Sequence, residues 1–174
     1  MKYIVVLIFF SSLISLFSAS AFGQLGHGHN LPTSSLGDRN VMLDFLNVPI
    51  QTANGMDLKF SLIDQGNNQN IPHVTYIISI YYNDSRVFAE VLHGHGGVVD
   101  LRFLDSPGEN YKINANYDAL AASYVSDFGA PIKVEGPVLS KPGNYSVTAE
   151  VTGLDFDNTF LPEPLEYSFS FIKE

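Results

Sequence analysis

His73-Val74-Thr75-Tyr76-Ile77-Ile78-Ser79-Ile80-Tyr81-Tyr82 is the stretch on which the fold turns. Val74, Tyr76, Ile78 and Ile80 make one face, and Thr75, Ile77, Ser79 and Tyr81 make the other. That period of two belongs to extended chain and not to a helix. The β-branched and aromatic side chains fit a pleated surface. Asn83-Asp84-Ser85-Arg86 reads as a turn, and Val87 to Leu92 as the returning strand of a hairpin. With Asp84-Ser85 as the two loop residues, Asn83 pairs with Arg86, His73 falls opposite Gly96, and His95 falls opposite Val74.

Further strand signals lie on either side. Val41 to Val48 precedes a cleaner one, in which Met56, Leu58, Phe60 and Leu62 alternate with Asp57, Lys59 and Ser61. Val98 to Phe103, Tyr111 to Ile113, Ile132 to Val134, Tyr145 to Val151 and Leu165 to Ile172 follow. Gly, Pro and Asn clusters such as Gly66-Asn67-Asn68-Gln69-Asn70 separate them. The one helix expected inside the domain is Asp118 to Val125, capped by Asp118. This spacing, without βαβ alternation, predicts an all-β sandwich of about seven to nine antiparallel strands, with a closed barrel as the alternative.

Lys141-Pro142-Gly143-Asn144-Tyr145, followed by alternating Val147, Ala149 and Val151, resembles the penultimate strand of immunoglobulin-like and fibronectin-III-like domains. The resemblance implies an immunoglobulin-like sandwich with a tyrosine corner, in which the Tyr145 hydroxyl bonds back to upstream backbone. With Pro131-Ile132-Lys133-Val134-Glu135-Gly136-Pro137, the chain also resembles short exported β-sandwich proteins of ammonia-oxidising archaea. That resemblance implies a lineage and a compartment, not a chemistry.

The start of the chain carries the compartment signal. After Met1-Lys2, Tyr3 to Phe10 is unbroken apolar sequence, serines then dilute the run, and Ala19-Ser20-Ala21 and Ala21-Phe22-Gly23 are small-x-small cleavage signatures. Residues 1–23 are therefore expected to be a signal peptide, helical in its apolar part, and the protein secreted or extracytoplasmic. If this segment is retained instead, it is long enough to anchor the chain in a membrane. Residues 24–39 read as a flexible Gly- and His-containing lead, and 40–174 as a single domain.

Composition narrows the functions. The 174 residues contain no Cys, which excludes disulfides, thiolate metal sites and a cysteine nucleophile. A formal charge of −9 argues against nucleic acid as a partner. With no thiolate, transition-metal chemistry falls to imidazole, which suits copper or zinc. Four of the five histidines sit in two His-Gly-His motifs, His27-Gly28-His29 in the lead and His93-Gly94-His95 at a strand end. His73, His93 and His95 are the stronger candidate ligands, and His27 and His29 the weaker. In extended chain, residues two apart point the same way, so His93 and His95 can address one ion. The expected register nevertheless puts them on the face opposite His73, so a shared site needs a bulge or a one-residue shift.

Asp155-Phe156-Asp157-Asn158 lacks the glycine and terminal Glu of a calcium loop and reads as an acidic surface turn. No nucleophile elbow, phosphate loop or His-Glu-x-x-His motif is present, so no catalytic residues are assigned. Asn83 and Asn144 open two glycosylation sequons. The leading expectation is a non-catalytic binding module whose partner is a surface or envelope protein. A copper- or zinc-binding protein comes second, and a histidine-dependent hydrolase third.

Overall fold

The alternating segments fold as strands of two sheets. The computed structural model describes residues 32–51, 54–127, 130–155 and 159–174. The expected signal helix, most of the lead, and His27 and His29 lie outside them. Thirteen strands run through the described residues: β1 (Thr33–Leu36), β2 (Arg39–Pro49), β3 (Gly55–Asp64), β4 (Gln69–Asn70), β5 (Val74–Tyr82), β6 (Ser85–Gly94), β7 (Val98–Asp105), β8 (Lys112–Asn114), β9 (Asn116–Asp118), β10 (Ser123–Ser126), β11 (Ile132–Gly136), β12 (Gly143–Leu154) and β13 (Thr159–Lys173).

One sheet has the order β1-β2-β3-β7-β11-β8, with β4 on the end of β3, and the other the order β13-β12-β5-β6-β10-β9. Both are open, which corrects the barrel alternative. Two further expectations change. The strands outnumber the seven to nine read from sequence, and β6–β10 and β7–β11 are parallel pairs in an otherwise antiparallel molecule. Strand β1 also lies inside residues 24–39, the segment expected to be a flexible lead. Arg39 fixes this segment through ion pairs with Asp64 at 3.2 Å and Asp155 at 2.9 Å.

The alternation delivers the core. Val74, Tyr76, Ile78 and Ile80 of β5 face inward with Val147, Ala149 and Val151 of β12, against Leu58, Phe60 and Leu62 of β3 and Val99, Leu101 and Phe103 of β7. All are essentially inaccessible to solvent, and each large apolar side chain so buried contributes about 1.5–3 kcal/mol. Tyr76 spans the two sheets: its hydroxyl accepts from the Leu62 amide at 3.1 Å and donates to the Gly97 carbonyl at 3.0 Å. At the other end the Tyr145 hydroxyl donates to the Lys141 carbonyl at 2.8 Å, as expected of a tyrosine corner.

The expected helix at 118–125 is instead a hairpin of β9 and β10. Asp118 does cap, but its Oδ1 accepts the Leu120 and Ala121 amides in a tight turn. Ala122 then takes a left-handed φ of 47°, which ends any helix and sends the chain back.

The hairpin register also differs from expectation. The loop residues are Asn83-Asp84, both left-handed at φ 48° and 62°, as a two-residue type I′ turn requires. Tyr82 therefore pairs with Ser85 and Tyr81 with Arg86. A bulge at Val87 then adds one residue to β6, so Ile80 pairs with Phe88, Thr75 with His93 and Val74 with Gly94.

Candidate metal centre

This register places His93. Phe88 and Leu92 of β6 point into the core, so His93 points to the outer face of the sheet beside its partner Thr75. The parallel strand β10 sets Val125 on its other side, and β9 sets Asn116 beyond that. Thr75, His93, Val125 and Asn116 thus form one row across four strands. Covered by its neighbours, His93 is only 9% exposed.

His73 and His95 come from the irregular chain just past this row. His73 precedes β5 with a left-handed φ of 51°, and its amide donates to the His95 carbonyl at 3.1 Å. His95 sits in the tight turn closed by the Gly97 amide on the Gly94 carbonyl at 3.0 Å. Gly97 makes this arrangement possible. It has a φ of 74°, and a Cβ there would overlap the Ile71 carbonyl oxygen, so only glycine lets the turn lie against the segment leading to His73.

The three imidazoles converge. Each offers one nitrogen, and the three nitrogens lie within 4.8 Å of one another, close enough to bind one metal ion. Ring centroids are 5.6 Å apart for His73–His93, 5.2 Å for His73–His95 and 5.1 Å for His93–His95, a nearly equilateral triangle. His73 Nδ1 and His93 Nε2 are 3.4 Å apart. Two nitrogens bound tetrahedrally to zinc, each about 2.05 Å from the ion, are also about 3.4 Å apart.

Polar partners stand behind the His93 and His95 rings. His93 Nδ1 lies 2.9 Å from Thr75 Oγ1, leaving Nε2 as its inward nitrogen. His95 Nδ1 lies 3.2 Å from Asp127 Oδ1, and Asp127 Oδ2 accepts from the Asn116 side-chain Nδ2 at 3.3 Å. When a metal takes the far nitrogen, the near one carries the proton and donates it to the oxygen behind, which fixes tautomer and ring angle. Burial, reinforced by the neighbouring His95 and His73, lowers the pKa of His93, while Asp118 opposes the shift. A depressed pKa keeps the imidazole neutral, the form that ligates.

His73, His93 and His95 are therefore brought together, on one face, through the bulge that a shared site required. Sequence reasoning missed the supporting residues Thr75, Asp127 and Asn116. Period-two spacing from His73 could have flagged Thr75, whereas nothing local connects Asp127 to His95. Asp155 pairs with Arg39 and takes no part in the centre. No protein-family model matches the chain, and no curated protein or solved structure matches it either.

Proposed function

We propose that this is an extracytoplasmic metal-binding β-sandwich whose His73–His93–His95 centre holds zinc. The observation that carries this reading is the convergence of three imidazoles, with His93 and His95 backed by oxygen partners. The 3.4 Å between His73 Nδ1 and His93 Nε2 supports a tetrahedral ion. The apolar start and cleavage signatures of residues 1–23 support export. The strand orders β2-β3-β7 and β13-β12-β5-β6 support an immunoglobulin-like sandwich, matching A-B-E and G-F-C-C′.

Calorimetric titration with zinc(II) and copper(II), wild type against His93→Ala, tests the metal reading. One zinc per chain is expected, with a Kd of about 1 μM or tighter, equivalent to about 8 kcal/mol. The variant should bind either ion far more weakly. Equal, millimolar binding by both proteins would refute it.

One observation favours a second role as a binding module for a surface or envelope protein. β13 is a long edge strand whose Phe160 and Ile172 are more than 70% exposed. Such an edge accepts a partner by strand addition. Retention of an envelope protein by wild type but not by Ile172→Lys would support this role, and identical retention would remove it.

A further inference from the structure

Among the described residues the centre offers three ligands, His73, His93 and His95, and an open side. His95 is the ligand on that side, with 45% of its side chain exposed. Zinc sites that serve only structure close all four positions with protein, whereas sites with three protein ligands hold water or substrate in the fourth. Beside the centre lies a cleft of about 400 Å³. Asn114, Asn116, Asp127, Val125, Pro131 and Ile132 line it. Asp127 is shared: it lines the cleft and holds the His95 ring. Val125 is shared as well, because it is the strand partner of His93. The cleft therefore adjoins the centre through Asp127 and Val125, and it offers carboxamide donors and apolar carbon.

Charge selects among ligands. Asp127 is in contact with His95. A carboxylate beside a divalent ion held by three neutral rings offsets part of the ion's charge, so the loaded centre gives less attraction to an anion. A neutral carbonyl compound is the better fit.

Resting on the zinc reading above, we propose that the loaded centre hydrolyses small neutral esters, with the acyl portion seated in the Asn114–Ile132 cleft. A water in the fourth position loses a proton to solvent through the exposed side, and its oxygen adds to the ester carbonyl carbon. The bond from that carbon to the alcohol oxygen breaks, and the alcohol leaves with a proton taken from a second water. The hydroxide left by that second water takes up the proton released in the first step, so one water is consumed in all and the products are the acid and the alcohol. The metal's role is to make the water nucleophilic at neutral pH and to polarise the carbonyl.

The test is hydrolysis of 4-nitrophenyl acetate by the full chain, with zinc binding followed in parallel by calorimetry. Metal-free wild type is the reference, since it keeps the fold and measures what free imidazoles do alone. The rate is expected to rise about 100-fold over that reference, to level off at one zinc per chain and to fall back on chelation. Asn114→Ala should raise KM without preventing zinc binding. 4-Nitrophenyl phosphate, an anion, should be the poorer substrate. If zinc binds tightly but the rate stays at that of the metal-free chain plus free zinc, hydrolysis is refuted and the metal reading stands. If zinc does not bind, both fail. A preference for the phosphate, or an unchanged KM in Asn114→Ala, would overturn the assignment of substrate and cleft.

Discussion

Gly97→Ala tests the backbone that assembles the centre. At a φ of 74°, an alanine carries the penalty of the left-handed region, about 1–2 kcal/mol. Its Cβ would also overlap the carbonyl oxygen of Ile71, which is main chain and cannot rotate away. Forcing an extra carbon into a packed site costs about 1–3 kcal/mol. The same glycine carbonyl accepts from Tyr76 Oη at 3.0 Å and from the Leu62 amide at 3.3 Å, so displacement weakens the tie between the sheets. The expected loss is about 3 kcal/mol, read in urea as a lower midpoint with an unchanged slope, and about 10 °C in Tm. Gly37→Ala is the internal control. Its φ is 61°, but nothing lies within 4 Å of the added carbon, so it should lose only the conformational part. Zinc affinity should fall in Gly97→Ala and hold in Gly37→Ala, because only Gly97 seats the turn against the chain entering His73. Equal destabilisation by the two substitutions, with zinc affinity untouched, would refute the steric argument.

Three other outcomes are expected. Thr75→Val keeps the shape but removes the oxygen behind His93, so zinc should bind about 10–100-fold more weakly, with little change in fold by circular dichroism. Asp100→Asn should stabilise the protein at neutral pH. Burial raises this carboxyl's pKa, aided by Asp57 and opposed by Lys59 and Arg102, so the folded state holds the proton more tightly than the unfolded chain. Wild-type stability from this group is thus full below its ordinary value of 3.8 and is lost as pH rises through the higher folded value. The advantage of Asn in urea denaturation should therefore shrink toward zero on acidification below 3.8, and an advantage that grows there would contradict the assignment. Tyr145→Phe removes one hydrogen bond to the Lys141 carbonyl and should cost about 1 kcal/mol by the same assay.

The inward faces of β3, β5, β7 and β12 were legible because burial on one side imposes a period of two that survives in any context. The identity of the three converging imidazoles was legible too, since a cysteine-free chain concentrates its candidate ligands in few places. Register was not. Asn83-Asp84 and Asp84-Ser85 are both acceptable loop dipeptides, and only the left-handed pair Asn83-Asp84 fits the strand twist. Strand β10, and the partner of β11, were obscure for another reason. Both β10 and β11 pair in parallel with a strand distant in sequence, so no local alternation or turn announces the partner. The helix expected at 118–125 failed at the same place, where DALAASYV has helix-forming composition but its turn and its long-range pairing with β6 decide the outcome. Asp127 follows directly on β10, so its role behind His95 was invisible for the same cause.

The bulge at Val87 makes the centre sensitive to length rather than to chemistry. Side chains alternate sides along β6, so one residue more or fewer between the turn and His93 would carry that imidazole to the core face and bring Leu92 or Gly94 into its place. Every ligand and every supporting oxygen would still be encoded, yet no ion could be shared. Among descendants of this chain, a single-codon deletion in the hairpin would thus lose the site as fully as substitution of a histidine. A compensating insertion nearby would restore it without any histidine having changed.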